Sequence, residues 1–122
     1  MAKPTVLILD DDPVHLKIYG WIVDRGDFRA LTTLATDAGA DLPTSEHVDI
    51  VLLDYRLGTS LTAKDFLPPI RKAFPAAPIV ILSELEWMPA ELRGEATGFV
   101  RKGEPEKLLN VLRDLTHHNN TV

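Results

Sequence analysis

The sequence predicts an α/β fold, a doubly wound five-stranded parallel sheet with helices on both faces. Three short runs, Val6-Leu7-Ile8-Leu9, Ile50-Val51-Leu52-Leu53 and Ile79-Val80-Ile81-Leu82, are continuously apolar and rich in β-branched residues. Such runs are too short for helices and do not alternate in polarity, which is how strands buried on both faces read. Helix signals lie between them, so strand and helix alternate five times along the 122 residues. That alternation is the pattern of a parallel sheet covered on each side.

Each element has its own justification. After the first strand, Asp12-Pro13 supplies an N-cap carboxylate followed by proline at the first helical position. Val14, Ile18, Trp21 and Ile22 then fall on one face, expected to be the core face, and Gly26 is placed to end the helix. Phe28–Leu34 is mixed in polarity and is expected to form an edge strand. The Thr36–Val48 and Glu86–Thr97 segments are less regular helix candidates, each with a proline (Pro43, Pro89). Thr62–Phe74 holds Pro68-Pro69, so a helix there should be kinked or begin late. Phe99-Val100-Arg101 is the fifth strand, and Pro105 opens a last helix with Leu108, Leu109, Leu112 and Leu115 at helical spacing. The whole of 1–122 reads as one domain, with a flexible tail expected at 117–122.

Composition narrows the function. The chain has 18 acidic and 13 basic residues, a formal charge of -5 and no cysteine. A thiol nucleophile and a thiolate metal site are therefore excluded, and a reducing compartment is suited. No run of Lys and Arg offers the electrostatic footprint of nucleic-acid binding, so no direct nucleic-acid contact is expected. A run of only four apolar residues precedes the first aspartates. A secretory core needs at least about seven and a spanning helix about 20. A cytoplasmic protein without membrane contact is expected.

In parallel sheets, ligands bind beyond the carboxyl ends of the strands. Asp10, Asp11 and Asp12 follow the first strand, Asp54 the third, Ser83 the fourth and Lys102 the fifth. Two carboxylates about 4 Å apart repel by roughly 4 kcal/mol at an effective dielectric of 20. A convergence of acids is thus poor for stability alone and becomes sensible with a hard divalent cation, most naturally Mg²⁺. Lys102 would add a second positive charge, and the Ser83 hydroxyl could donate to an anionic oxygen. Metal, lysine, hydroxyl and a carboxylate together describe phosphoryl transfer to an aspartate. Read singly, each is ordinary: a helix cap, a turn hydroxyl, a solvated lysine.

With Val6–Pro13, Val51–Leu57, Ile79–Ser83 and Gly98–Lys102 in place, the sequence resembles a response-regulator receiver domain of two-component signalling, of the chemotaxis-regulator kind. The resemblance implies the flavodoxin-like strand order 2-1-3-4-5. It implies that Asp54 accepts phosphate from a histidine kinase or a histidine phosphotransfer protein, switching a surface read by a downstream protein or fused output domain. It further implies Mg²⁺ held by Asp11, Asp54 and the Arg56 backbone carbonyl, with Asp10 acting through water. Ser83 and Lys102 would hold phosphoryl oxygens, Phe99 matches the aromatic switch position, and Arg56 and Leu85 stand where relatives tune the lifetime of the phosphoryl group. Asp12 matches no ligand and stays a helix cap. Such a domain is not a metabolic enzyme; it catalyses only its own phosphorylation and dephosphorylation. Two other readings are weighed: a haloacid-dehalogenase-type phosphatase with Asp10 as nucleophile, which leaves Asp54 without a task, and a pseudo-receiver acting as a constitutive protein-binding module.

The pattern is departed from in four places. Gly103 replaces the proline that usually follows the lysine, Glu84 stands where a small residue is usual, and Leu57-Gly58-Thr59-Ser60-Leu61 lacks the usual proline and Asp-Gly pair. The interval from Ser83 to Lys102 is short, so the fourth helix should be short or irregular. That puts signalling on a partner or fused neighbour rather than on a dimer through the fourth helix. Trp21 is expected in the core and Trp87 as a loop anchor, while His15, His47, His117 and His118 lack the spacing of a metal set.

Overall fold

The computed structural model describes residues 3–58 and 60–119, apart from the side chains of 117–119. Strand β1 (Thr5–Asp10) leads into α1 (Pro13–Arg25), then β2 (Arg29–Leu34) and β3 (Ile50–Asp54). Two short strands, β4 (Arg56–Leu57) and β5 (Leu61–Thr62), precede α2 (Ala63–Ala73) and β6 (Ile79–Ser83). A single 3₁₀ turn at Ala90–Leu92, then β7 (Gly98–Arg101) and α3 (Pro105–Asn119), complete the chain. The main sheet is all parallel in the order β2-β1-β3-β6-β7, and β4 and β5 form a separate antiparallel pair. Without that pair, the order is the expected 2-1-3-4-5.

Every residue of β1, β3 and β6 is buried, and the period-2 alternation divides them between two cores. Leu7, Leu9, Val51, Leu53, Ile79 and Ile81 face α2, meeting Phe66, Leu67 and Ile70. Val6, Ile8, Ile50, Leu52, Val80 and Leu82 face α1 and α3, meeting Leu16, Val23, Leu108 and Leu112. β2 is the mixed-polarity edge strand the sequence predicts.

Three helices form rather than five. Residues 35–48 hold only an isolated bridge between Thr36 and Gly39, and 84–97 hold only the 3₁₀ turn. Pro43 and Pro89 interrupt these segments, and Gly39 and Gly94 take left-handed φ angles of 113° and 82° that no helix continues through. The short, irregular fourth crossover is as expected. In α2, by contrast, Pro68 and Pro69 sit inside a helix that starts at once at Ala63. Both prolines face solvent, where the carbonyls they leave unbonded meet water, and a capping box between Thr62 and Asp65 starts the first turn.

Asp12 caps α1, accepting from the Val14 N–H at 2.9 Å. The core face of α1 differs from the expected one: Leu16, Gly20 and Val23 are buried, whereas Val14, Ile18 and Trp21 are 62%, 49% and 61% exposed. The sequence offers two apolar stripes on this helix, and packing chose the other. Gly26 ends α1 as expected, but the left-handed residue is Asp27 (φ 71°). Gly26 serves for closeness, since a Cβ there would collide with Leu109 of α3. Of the tail expected from 117, the backbone of 117–119 continues α3; residues 120–122 and the His117 and His118 side chains lie outside the described residues. No helix of the described residues is long and apolar enough to cross a membrane.

Candidate phosphoacceptor site

The sheet order reverses between β1 and β3, and the carboxyl ends of these two strands carry the acids. Asp10 closes β1 and Asp54 closes β3, 1% and 4% exposed, because their strands are central. Asp11, one residue past β1, turns out to solvent. Oxygens of Asp10, Asp11 and Asp54 all lie within 4.8 Å of one another. Ser83 closes β6 in a buried position, and its Oγ accepts from the Leu85 N–H at 3.0 Å. Lys102 follows β7, its N–H bonded to the Ser83 carbonyl at 2.7 Å and its Nζ 3.0 Å from Asp54 Oδ1. An open cleft of about 620 Å³ lies above, lined by Asp11, Asp54, Arg56, Ser83, Lys102 and, at its mouth, Glu84 and Leu85.

The loop after Asp54 serves the site despite its unusual sequence. The β4–β5 pair folds it back, Leu57 is buried, and the Gly58 N–H donates to Asp11 Oδ2 at 3.0 Å. Gly58 has φ 90°, and a side chain there would collide with the Asp37 carboxylate, so only glycine fits. Thr59 of this loop lies outside the described residues.

The electrostatics are those of a crowded, half-neutralised cluster. Burial, and after it the Asp54 charge, push the Asp10 carboxyl up to about 8. Burial also raises Asp54, although Lys102 pulls against it. For Lys102, burial opposes the charge, but the Asp54 and Asp10 carboxylates prevail and the ammonium is held more tightly than usual. Asp10 Oδ2, fully buried, has no hydrogen-bond partner. Three carboxylates against one ammonium leave a formal -2 when all are ionised, which a divalent cation would cancel. An all-oxygen donor set, an orphaned buried oxygen and this charge fit Mg²⁺.

Sequence reasoning missed two neighbours. His15 reaches over the cluster, Nδ1 3.6 Å from Asp10 Oδ2 and Nε2 3.6 Å from Asp12 Oδ2. Its position three residues after the cap, on the first turn of α1, was the available signal. The Tyr55 hydroxyl donates to Glu91 Oε1 at 2.5 Å, tying the residue after Asp54 to the 3₁₀ turn. Phe99, at the expected switch position, is half-buried and packs against the α2-side core. Trp87 is not a buried anchor: it is 72% exposed and, with Phe99, lines a separate groove of about 530 Å³.

No family model matches the sequence, and no curated protein matches it. Solved structures do. A response regulator receiver domain protein from Clostridium thermocellum superposes with a TM-score of 0.74 at 18% identity, covering 95% of this chain and 96% of its own. The chemotaxis protein CheY4 of Vibrio cholerae gives 0.73 at 19%, covering 93% and 99%. The BeF3-activated DrrB receiver domain gives 0.73 at 21%, covering 94% and 98%. The likeness spans nearly all of both partners in each pair, and at these identities it is a likeness of backbone: the chain has the fold of a response-regulator receiver domain.

Proposed function

We propose that this domain is a phosphoacceptor receiver, taking a phosphoryl group onto Asp54 from a phosphohistidine of a kinase or phosphotransfer protein in the cytoplasm. The observation that carries the reading is the difference between the two buried carboxylates. Asp54 lines the open cleft and is paired with Lys102, whereas Asp10 lies beneath it, out of reach of a donor. That difference also disfavours Asp10 as the nucleophile of a phosphatase.

An Asp54 oxygen forms the new P–O bond as the P–N bond to the donor imidazole breaks, and the departing imidazole takes up a proton from solvent. Lys102 swings its ammonium from the Asp54 carboxylate to a phosphoryl oxygen, so the charge it balances moves with the reaction. The Ser83 hydroxyl, now accepting from Leu85, is free to donate to a second oxygen. Asp10, Asp11, Asp54 and the Arg56 carbonyl are the groups that would hold Mg²⁺, which when bound neutralises charge on the phosphoryl group. The Gly58 N–H keeps Asp11 oriented for this. Arg56 and Leu85 flank the phosphoryl position and restrict hydrolytic water, and replacing both by small polar residues should speed loss of phosphate. Lacking a full fourth helix, the domain signals to a partner or fused neighbour.

Acetyl phosphate with and without Mg²⁺, followed by mass spectrometry, tests the reading. Native protein should gain one phosphoryl group only with Mg²⁺, and Asp54→Asn protein none. Absence of any gain, from small donors and phosphohistidine proteins alike, would replace this reading with that of a constitutive binding module.

A further inference from the structure

The three helices differ in what they show to solvent. On α2 and α3 the exposed positions hold charged residues, Asn110 and prolines, and no large apolar side chain among the described residues stands exposed there. On α1, Val14, Ile18 and Trp21 all do. Three such side chains on one helix form a patch rather than scattered singles, and patches of this kind mark interaction sites.

Their spacing says what shape of partner fits. Val14, Ile18 and Trp21 follow one another at intervals of four and three residues. Arg25, four further on, lies over the Trp21 ring at 4.6 Å from its centroid. Alternating intervals of four and three make the narrow seam along which one helix pairs with another. The flanking charges say which helix. Lys17 and Asp24, both exposed, border the seam on one side, seven residues apart. Asp24 is held in place by the Ala30 N–H, which donates to its Oδ1 at 3.1 Å. When two copies of this helix pair antiparallel, Ile18 of each packs on Trp21 of the other, and Lys17 of each meets Asp24 of the other. Twofold symmetry makes that ion pair twice. Parallel pairing would set Lys17 beside Ile22 and make neither.

We propose that the outer face of α1 is a self-association surface, on which a second copy of this chain docks antiparallel along Val14, Ile18, Trp21 and Arg25, with Lys17 and Asp24 forming two ion pairs. A helix of 13 residues is about 20 Å long, which places the contact among small, reversible interfaces. None of these six residues lines the cleft above Asp54, so the proposal stands apart from the phosphoacceptor reading.

Sedimentation equilibrium of the whole chain tests it. A monomer–dimer equilibrium is expected below about 1 mM, and a chain that stays monomeric to that concentration overturns the proposal. Trp21→Ala should weaken the dimer by about tenfold or more, the scale of an interface anchor. Lys17→Glu should weaken it too, and more so at low salt, because it sets two acids against each other. A dimer indifferent to both substitutions uses another surface and overturns the proposal. Orientation is read by cross-linking, since the chain has no cysteine of its own. Val14→Cys and Arg25→Cys proteins, mixed and oxidised, should join to each other. Neither should join to itself, because antiparallel pairing leaves like positions about 16 Å apart along the helix. Self-joining of either variant would mean parallel pairing and overturn the proposal. A native chain that stays monomeric, yet loses binding to a helical phosphohistidine protein on Trp21→Ala, would assign the seam to that donor instead.

Discussion

The two faces of the sheet are covered in different ways. One carries α1 and α3, helices of 13 and 15 residues, while the other carries the 11-residue α2 and two irregular segments. The central strands do not register the difference: Ile50 and Leu52, facing the paired helices, and Val51 and Leu53, facing the irregular side, are all 0% exposed. A loop covers a sheet as well as a helix does if it plants a few apolar side chains, here Ala35, Val48 and Leu92. What a loop gives up is a regular outer surface. The exposed Trp87 stands on one of the irregular segments, and the groove it lines with Phe99 runs along the β7 edge to residues of α3.

The largest effect should come from emptying each face at a matched position. Leu112→Ala in α3 and Leu92→Ala in the 3₁₀ turn each remove a side chain that is 0% exposed. Each should cost about 2–5 kcal/mol in denaturant unfolding. A much smaller cost at Leu92 would show that the irregular face gives way locally and is only a loose cover.

Next comes the dependence on pH, which belongs to the strand ends both faces share. Asp10 titrates at about 8 in the folded protein, against an ordinary value of 3.8. The folded state thus binds more protons between these limits, and stability without metal is greatest at the acid end and falls as pH rises toward 8. Asp54, also raised, adds to the same trend. Thermal unfolding without divalent cations should show a falling midpoint from about pH 5 to pH 8, and excess Mg²⁺ should stabilise most at the upper end. A midpoint that rises across this range would contradict the raised Asp10.

Loss of the cap by Asp12→Ala should cost about 1 kcal/mol, read in the same unfolding experiment, and should act only on the helical face. Smallest of all is Trp21→Ala. Because Trp21 is 61% exposed and stacks on Arg25 at 4.6 Å, its removal should change stability by less than about 0.5 kcal/mol. A core tryptophan would cost several times more, so this substitution separates the observed core face of α1 from the one its sequence offered.

Legibility varied for physical reasons. Strands buried on both faces admit only apolar residues, so β1, β3 and β6 declare themselves in single runs. The site residues were readable for a related reason. A parallel sheet delivers the residues that follow each strand to one rim, and the positions of Asp10, Asp11, Asp54, Ser83 and Lys102 follow from strand ends alone. Helix propensity is a weaker signal. Pro68 and Pro69 argued against an early helical start and were overruled because their unbonded carbonyls meet water. Glu86–Thr97 has few alternatives to irregular structure once Pro89 and Gly94 interrupt it.

By itself, then, the sequence determined the sheet, the order of chemistry along its rim and the two proline-led helix starts at Pro13 and Pro105, since these depend on neighbours in the chain. Only tertiary structure decided which stripe of α1 is buried, that Gly58 holds Asp11 and that His15 overhangs the acids. Each of these joins residues from different elements. Such contacts are set by how helices seat on the twisted sheet, and no periodicity within a single segment encodes that.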